Sequence, residues 1–226
     1  MKPGLGGSIW LSWGGGCEGE APITGWDPGR HLQWTEGAGP VKIAVDFHLE
    51  GKGGTTVVRL VQSGFSESAE WDNEFHMIDA GWSYFTQHLR LYLEKHRGVP
   101  RDLIGFRDTV PLTRVEALQR LLGPSGLSSD GSLLSATTGA SYTATTASGE
   151  RISGTIVAAN HRTGQVGLTI AELGDAILFL EMEPSPNGVR AAFWLSTYGL
   201  DPKRLSDVRA RFEGLYRSAL PAAVSQ

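Results

Sequence analysis

Two alternating segments followed by a long amphipathic segment constrain the fold of this chain most strongly. Residues 41–49 alternate apolar and polar side chains, which is the pattern of a strand with one buried face. Residues 55–61 are mostly β-branched or aliphatic, and residues 50–54 between the two segments contain the glycines that a hairpin turn needs. We therefore predict an antiparallel β-hairpin.

The segment after this hairpin has the pattern of an amphipathic helix. Its apolar residues recur every three or four positions and so share one face: Phe75, Ile78, Trp82, Phe85, Leu89 and Tyr92. Acidic residues stand near its start and basic residues near its end, before Gly98 and Pro100 stop it, in agreement with the helix dipole. We expect this helix to lie across the sheet that contains the hairpin.

Four motifs occur together in the first half: Gly25-Trp26-Asp27-Pro28-Gly29-Arg30-His31-Leu32-Gln33-Trp34, Gly54-Thr55-Thr56-Val57, Ser63-Gly64-Phe65 and Gly81-Trp82. This combination resembles the SRPBCC, or START-like, superfamily, and within it the homologues of the activator of heat-shock protein 90 ATPase. The resemblance covers roughly residues 4–96 and depends on the combination, since each motif alone is weakly specific. It implies an α+β helix-grip fold, in which a curved antiparallel sheet wraps around a long C-terminal helix and encloses a cavity.

Members of this superfamily usually begin with a strand and two short helices. This chain instead opens on a glycine-rich segment, residues 2–7, so we expect the first helix-grip domain to be N-terminally truncated.

The second half shows the helix-grip order more completely. Residues 109–112 predict a short first strand, and Thr113 with Glu116 forms a capping box before a short helix. Five candidate strands follow, separated by Gly, Asn or Pro turns: residues 141–147, 151–159, 165–172, 176–183 and 189–197. An amphipathic segment at residues 201–220 predicts the final long helix.

We therefore predict two tandem copies of the fold. Residues 1–98 form the truncated first domain, residues 99–106 form a linker, and residues 107–226 form the second domain. Direct identity between the two halves is slight, so the repeat is inferred from element order.

Composition excludes several classes of protein. The 226 residues carry a net charge of −4, with no basic run, which argues against nucleic-acid binding. No segment approaches the roughly 20 apolar residues of a membrane span. The single cysteine, Cys17, excludes an internal disulfide and suits a reducing compartment, so we predict a cytoplasmic protein. The sequence leaves the oligomeric state open.

The sequence shows no catalytic constellation. The six histidines, at positions 31, 48, 76, 88, 96 and 161, lack the spacing of a zinc site. His76 lies near Asp72 and Asp79 on the predicted helix, where a solvated helix face is the simpler interpretation. We therefore predict no catalytic residues, no cofactor and no metal site.

Aromatic residues are the candidates for a binding site. They serve as core packing unless the sheet stands off the helix, in which case they and a few polar groups line an apolar pocket. The candidate ligand-binding residues are Trp10, Trp26, Trp34, Arg59, Phe75, Ile78, Asp79, Trp82, Phe85, Trp194 and Tyr198.

Three functions are compatible with these observations. The first is binding of an apolar small molecule in the cavity between sheet and helix, which we favour because no catalytic constellation is visible. The second, which the family resemblance implies, is a co-chaperone that regulates a heat-shock protein 90-like ATPase. The third is an enzyme of the polyketide cyclase or dehydratase kind, for which the groups to test are Arg59, His76 and Asp79.

Overall fold

The computed structural model of this chain describes residues 1–12, 18–37, 42–64 and 70–223. The side chains of residues 12, 70–77, 79 and 80 are outside the description. The chain divides into two compact units, Met1–Asn73 and Glu74–Gln226. The domain boundaries expected from the sequence stay a prediction. A division into compact units does not test where one copy of the fold ends and the next begins.

The first unit contains a five-stranded antiparallel sheet in sequential order. Its strands are β1 Ser8–Ser12, β2 Glu18–Asp27, β3 His31–Glu36, β4 Ile43–Lys52 and β5 Thr55–Ser63. The predicted hairpin is confirmed, since β4 and β5 pair from Ala44 to Lys52. Its turn residues, Gly53 and Gly54, have φ angles of 58° and 82°, which fit the two positive φ positions of a type I′ turn.

The two faces of this first sheet differ sharply in polarity. Directly paired residues of antiparallel strands point to the same face. On the apolar face, Ile23, Trp34 and Val45 are only 2–4% exposed, and Trp34 stacks on Phe47 at 5.5 Å between ring centroids. The opposite, polar face carries the paired positions Gln33 and Asp46 and the pair His31 and His48.

The second unit has the complete helix-grip order. Its sheet has the strand order β6-β11-β10-β9-β8-β7, with every described neighbour antiparallel. The elements are α1 Glu70–Lys95, whose first residues belong to the first unit, β6 Arg101–Val110, α2 Arg114–Leu122, β7 Ser141–Thr145, β8 Arg151–Asn160, β9 Gln165–Ile170, β10 Ala176–Ser185, β11 Gly188–Tyr198 and α3 Pro202–Ala219. Short 3-10 helices occupy Ser132–Ser135 and Ala171–Leu173. Strand, helix, five strands and a long helix confirm the α+β helix-grip fold class.

The segment expected to be a linker is largely a strand. Residues 101–106 belong to β6, which pairs with β11 along its whole length. Gly105 resembles a loop residue in the sequence, but its missing side chain leaves room for the Trp194 indole. A Cβ atom at that position would lie 2.6 Å from the indole ring.

The inner face of the second sheet packs on α3. Phe193 of β11 lies 5.7 Å from Phe212 of α3, and Phe106 of β6 lies 5.5 Å from Tyr216, measured between ring centroids. The Tyr216 hydroxyl donates to the Ala191 carbonyl at 2.8 Å and accepts from the Asp108 amide at 3.1 Å. Large side chains with satisfied hydrogen bonds therefore occupy this interface.

The helix α1 packs on the outer face of the same sheet. The Tyr84 ring lies flat on Phe179 at 3.7 Å with an interplanar angle of 8°. Gly167 makes this possible, since a Cβ atom there would lie 2.8 Å from the Tyr84 ring. The predicted contact face is therefore wrong by one position: Tyr84 and His88 are buried, whereas Leu89 is 40% exposed.

Candidate functional site

An open pocket of about 280 Å³ lies beside α1 on the outer face of the second sheet. Its lining residues are Phe85, His88, Leu89, Tyr92, Arg101 and Tyr198. The helix contributes the first four of these from successive turns. Arg101 and Tyr198 are direct partners in the β6–β11 register, so the sheet presents both on the same face.

The Tyr198 side chain is held on two sides. His88 Nε2 and the Tyr198 hydroxyl oxygen are 2.6 Å apart in a buried hydrogen bond, in which the histidine tautomer decides the donor. The His96 ring stacks on the Tyr198 ring at 4.0 Å with an angle of 8°. His96 is itself positioned at the end of α1 by a 3.3 Å contact of its Nε2 with the Asp175 carbonyl. These contacts fix the Tyr198 side chain, which forms one wall of the pocket.

The electrostatics of the pocket follow from burial. Desolvation by burial, together with the smaller effects of the Arg101 and His96 charges, lowers the pKa of His88 to about 4. Burial also raises the pKa of Tyr198, against the opposing effect of Arg101. At neutral pH the pocket therefore combines a neutral imidazole, a neutral phenol and the exposed guanidinium of Arg101.

The structure brings some of the predicted site residues together. Phe85 and Tyr198 both line the pocket, and Trp82 on the preceding turn contacts Phe85 edge-on at 6.1 Å. Trp194 lies on the same outer face as Tyr198, where it packs beside Tyr84 and Phe179. Ile78 is half-buried on α1. Phe75 and Asp79 lie on α1, but their side chains are outside the described residues.

The predicted residues of the first unit are split between two faces. Trp34 and Trp26 belong to the apolar face. Trp10 is 56% exposed and pairs with Glu20 on the polar face, and Arg59 is exposed on that face opposite His48. Strand alternation thus separates Arg59 and Trp10 from Trp34, and the ligand-binding role of this set stays a prediction.

Sequence reasoning missed four of the six pocket residues: His88, Leu89, Tyr92 and Arg101. His88 lies outside the predicted apolar stripe of the helix, but it is only 8% exposed. A signal was present, because aromatic rings recur every four residues at Tyr84, His88, Tyr92 and His96 and so follow one helix face. Arg101 was assigned to the linker, which hid its place in a strand.

A second polar group on the outer face surrounds Glu181. Its Oε1 accepts a hydrogen bond from Gln165 Nε2 at 3.1 Å, while Glu183 on the same face pairs with Arg107. Burial, together with the neighbouring Glu183 carboxylate, raises the pKa of Glu181 to about 7, against the opposing effects of Gln165 and Arg107. The second unit therefore holds two buried groups whose pKa values are shifted in opposite senses from their ordinary values.

Comparison with known proteins finds a family match for the first part of the chain. Residues 1–94 match the family model described as activator of Hsp90 ATPase homolog 1-like protein. The match covers 94 of the 226 residues and agrees with the resemblance that the motifs of the first half show. No curated protein matches the chain.

Several solved structures are similar to the chain at low identity. The protein named Ara h 8.0201 shares 12% identity with a TM-score of 0.41, over 53% of this chain and 95% of its own. DynU16, from the dynemicin biosynthetic locus, shares 18% identity with a TM-score of 0.36, over 96% of this chain and 82% of its own. The di-domain ARO/CYC StfQ from the steffimycin biosynthetic pathway shares 13% identity with a TM-score of 0.34, over 94% of this chain and 81% of its own.

Among the described helices, none is long and apolar enough to cross a membrane.

Proposed function

We propose that the second unit binds a small, largely apolar molecule with an anionic group in the pocket beside α1. One observation carries this proposal: aromatic and aliphatic walls converge with a single cationic side chain, Arg101, on one open space. Apolar walls with a few placed polar groups are the usual construction of a small-molecule site.

The walls favour a flat apolar ligand. Phe85, Tyr92 and Tyr198 present aromatic surface, and such rings stabilise a second ring by offset or edge-on contact. The volume of about 280 Å³ lies just below the range of about 300–1,000 Å³ typical of small-molecule pockets, which suits a compound of one or two rings. Because His88 and His96 already fix Tyr198, little side-chain ordering opposes binding.

The charge pattern favours an acid. At neutral pH the buried His88 is uncharged, since its pKa is about 4. Arg101 therefore determines the sign of the charge that the pocket presents. Its planar guanidinium matches carboxylate, sulfonate or phosphate oxygens in a bidentate arrangement.

The test uses two fluorescent probes that share aromatic rings but differ in charge: the anionic anilinonaphthalene sulfonate and the neutral phenylnaphthylamine. We expect Leu89→Ser to weaken both probes by about fivefold, because it removes part of an apolar wall. Leu93→Ser is the matched control, since Leu93 is 51% exposed one turn further along α1 and does not line the pocket.

Arg101→Gln should weaken the anionic probe and leave the neutral probe unchanged. Equal binding of both probes by wild type, Leu89→Ser and Arg101→Gln would contradict the proposed site. Cytoplasmic location, the heat-shock ATPase partner and the polyketide cyclase-type activity stay predictions.

A further inference from the structure

Three metal-binding side chains meet on the polar face of the first sheet. His31 of β3 is the direct partner of His48 of β4, and Asp46 projects on the same face two residues before His48. His31 Nε2 lies 2.9 Å from Asp46 Oδ1, and His48 Nε2 lies 4.0 Å from the same oxygen. One ligand atom from each residue lies within 4.8 Å of the others.

Neighbouring residues hold this group in place. Gln33 Nε2 donates to Asp46 Oδ1 at 2.9 Å, and the Thr24 hydroxyl donates to Gln33 Oε1 at 2.8 Å, which fixes the orientation of the amide. Gly25 leaves room for the imidazole, since a Cβ atom there would lie 2.7 Å from His31 Cε1. Hydrogen bonds that orient the ligand side chains in this way are typical of metal sites in proteins.

We propose that His31, Asp46 and His48 bind a Zn²⁺ ion. Two neutral imidazoles and one carboxylate are a donor set that Zn²⁺ accepts, and a water molecule completes the tetrahedron. The strand register supplies the backbone positions, because direct cross-strand partners have Cβ atoms about 4.5–5.5 Å apart. Binding then needs only side-chain rotation, which separates the stacked rings of His31 and His48, now 4.6 Å apart.

The charged residues on either side of the three ligands predict whether a substitution there tightens or weakens Zn²⁺ binding. On β2, Asp27 is the direct partner of His31, and on β5, Arg59 is the direct partner of His48, so both share the polar face. The Asp27 carboxylate attracts a bound cation, whereas the Arg59 guanidinium repels it. Replacing Arg59 should therefore tighten binding.

The experiment is a titration of the full chain, without a polyhistidine tag, with Zn²⁺ in competition with a chromophoric chelator. We expect one ion per chain, with at least tenfold weaker binding in each of His31→Ala, Asp46→Asn and His48→Ala. Arg59→Gln should bind about threefold more tightly. His161→Gln is the control, because His161 belongs to the second unit and contacts the Ala136 carbonyl.

A second measurement keeps the test valid if a substitution disturbs folding. Each variant is compared with wild type by circular dichroism, and the imidazole resonances of the wild-type protein are followed by NMR as Zn²⁺ is added. Shifts of the His31 and His48 resonances support the site. The proposal fails if wild type binds no Zn²⁺ tighter than about 100 μM, if these resonances do not move, or if any one of the three ligand substitutions leaves affinity unchanged.

Discussion

Replacing His88 by glutamine should remove a specific pH dependence from the stability of the second unit. His88 is 8% exposed, and burial lowers its pKa from 6.5 to about 4. Between these two pH values the unfolded chain binds a proton that the folded chain does not. Stability is therefore highest above pH 6.5 and falls as the pH drops to about 4, by about 3 kcal/mol in total.

Glu181 has the opposite effect on the pH dependence of stability, over an overlapping pH range. Burial and Glu183 raise its pKa from 4.5 to about 7, so here the folded chain binds the proton more tightly. Its contribution to stability is present below pH 4.5 and is lost as the pH rises to about 7, again by about 3 kcal/mol. Between pH 4.5 and 6.5 the two contributions nearly cancel in the wild-type protein.

Single substitutions should separate the two opposing pH dependences of the free energy of unfolding. Relative to wild type, His88→Gln should become progressively less stable as the pH rises, because the Glu181 contribution is then unopposed. Glu181→Gln should become progressively more stable, and the double variant should again follow the wild-type profile. Glutamine keeps a hydrogen-bonding side chain at both positions.

The assay is urea denaturation followed by circular dichroism, at several values between about pH 4.5 and 7.5. The expected result is a difference between variant and wild type that changes by about 1.4 kcal/mol per pH unit at its steepest, with opposite signs for the two single variants. Parallel profiles for all four proteins would refute the assignment of these pKa shifts to buried His88 and Glu181.

Four other substitutions test packing, helix propensity and helix capping. Gly167→Ala should lower the free energy of unfolding by about 1–3 kcal/mol, because the new Cβ atom meets the Tyr84 ring at 2.8 Å. Gly214→Ala should instead raise it by about 0.5–1 kcal/mol, because Gly214 lies on an exposed part of α3 with open space around it. Phe193→Ala should lower the free energy of unfolding by about 3–5 kcal/mol, since it leaves a cavity where the fully buried Phe193 ring packs. Thr113→Ala removes the cap of α2 and should cost about 1 kcal/mol. Urea midpoints at one pH measure all of them.

Local patterns predicted much of the fold. The β4–β5 hairpin follows from alternation and paired glycines, and the capping box of α2 follows from Thr113 and Glu116, both of which the structure confirms. These signals work because the residues that determine the conformation are neighbours in sequence. The order of helices and strands along the second half follows from the same turn and alternation signals.

The contact face of α1 was not predictable in this way. The helix has more than one apolar stripe, so periodicity alone does not choose between Tyr84 and Phe85 as the inward position. The choice depends on the sheet, where Gly167 and Phe179 form a flat platform that accepts a ring at position 84. Neither residue is near Tyr84 in sequence.

The histidine group of the first sheet was missed for a related reason. Zinc motifs are recognised by short spacings on helices or tight turns. His31 and His48 instead meet across two strands, and only the β3–β4 register shows that they are partners. A shift of that register by one residue would place them on opposite faces.

The inner face of the second sheet explains why the pocket lies beside α1. The resemblance implies a cavity between the sheet and its C-terminal helix, but in the second unit Phe106, Phe193, Phe212 and Tyr216 pack against one another there. Opening that interface would break the Tyr216 hydrogen bond to Ala191 and forfeit aromatic contacts. The outer face requires no such loss, since its pocket is already open beside Leu89. A ligand of this unit is therefore expected to contact α1 rather than α3, and probe binding that responds to Leu89→Ser but not to Leu93→Ser is the direct test of that difference.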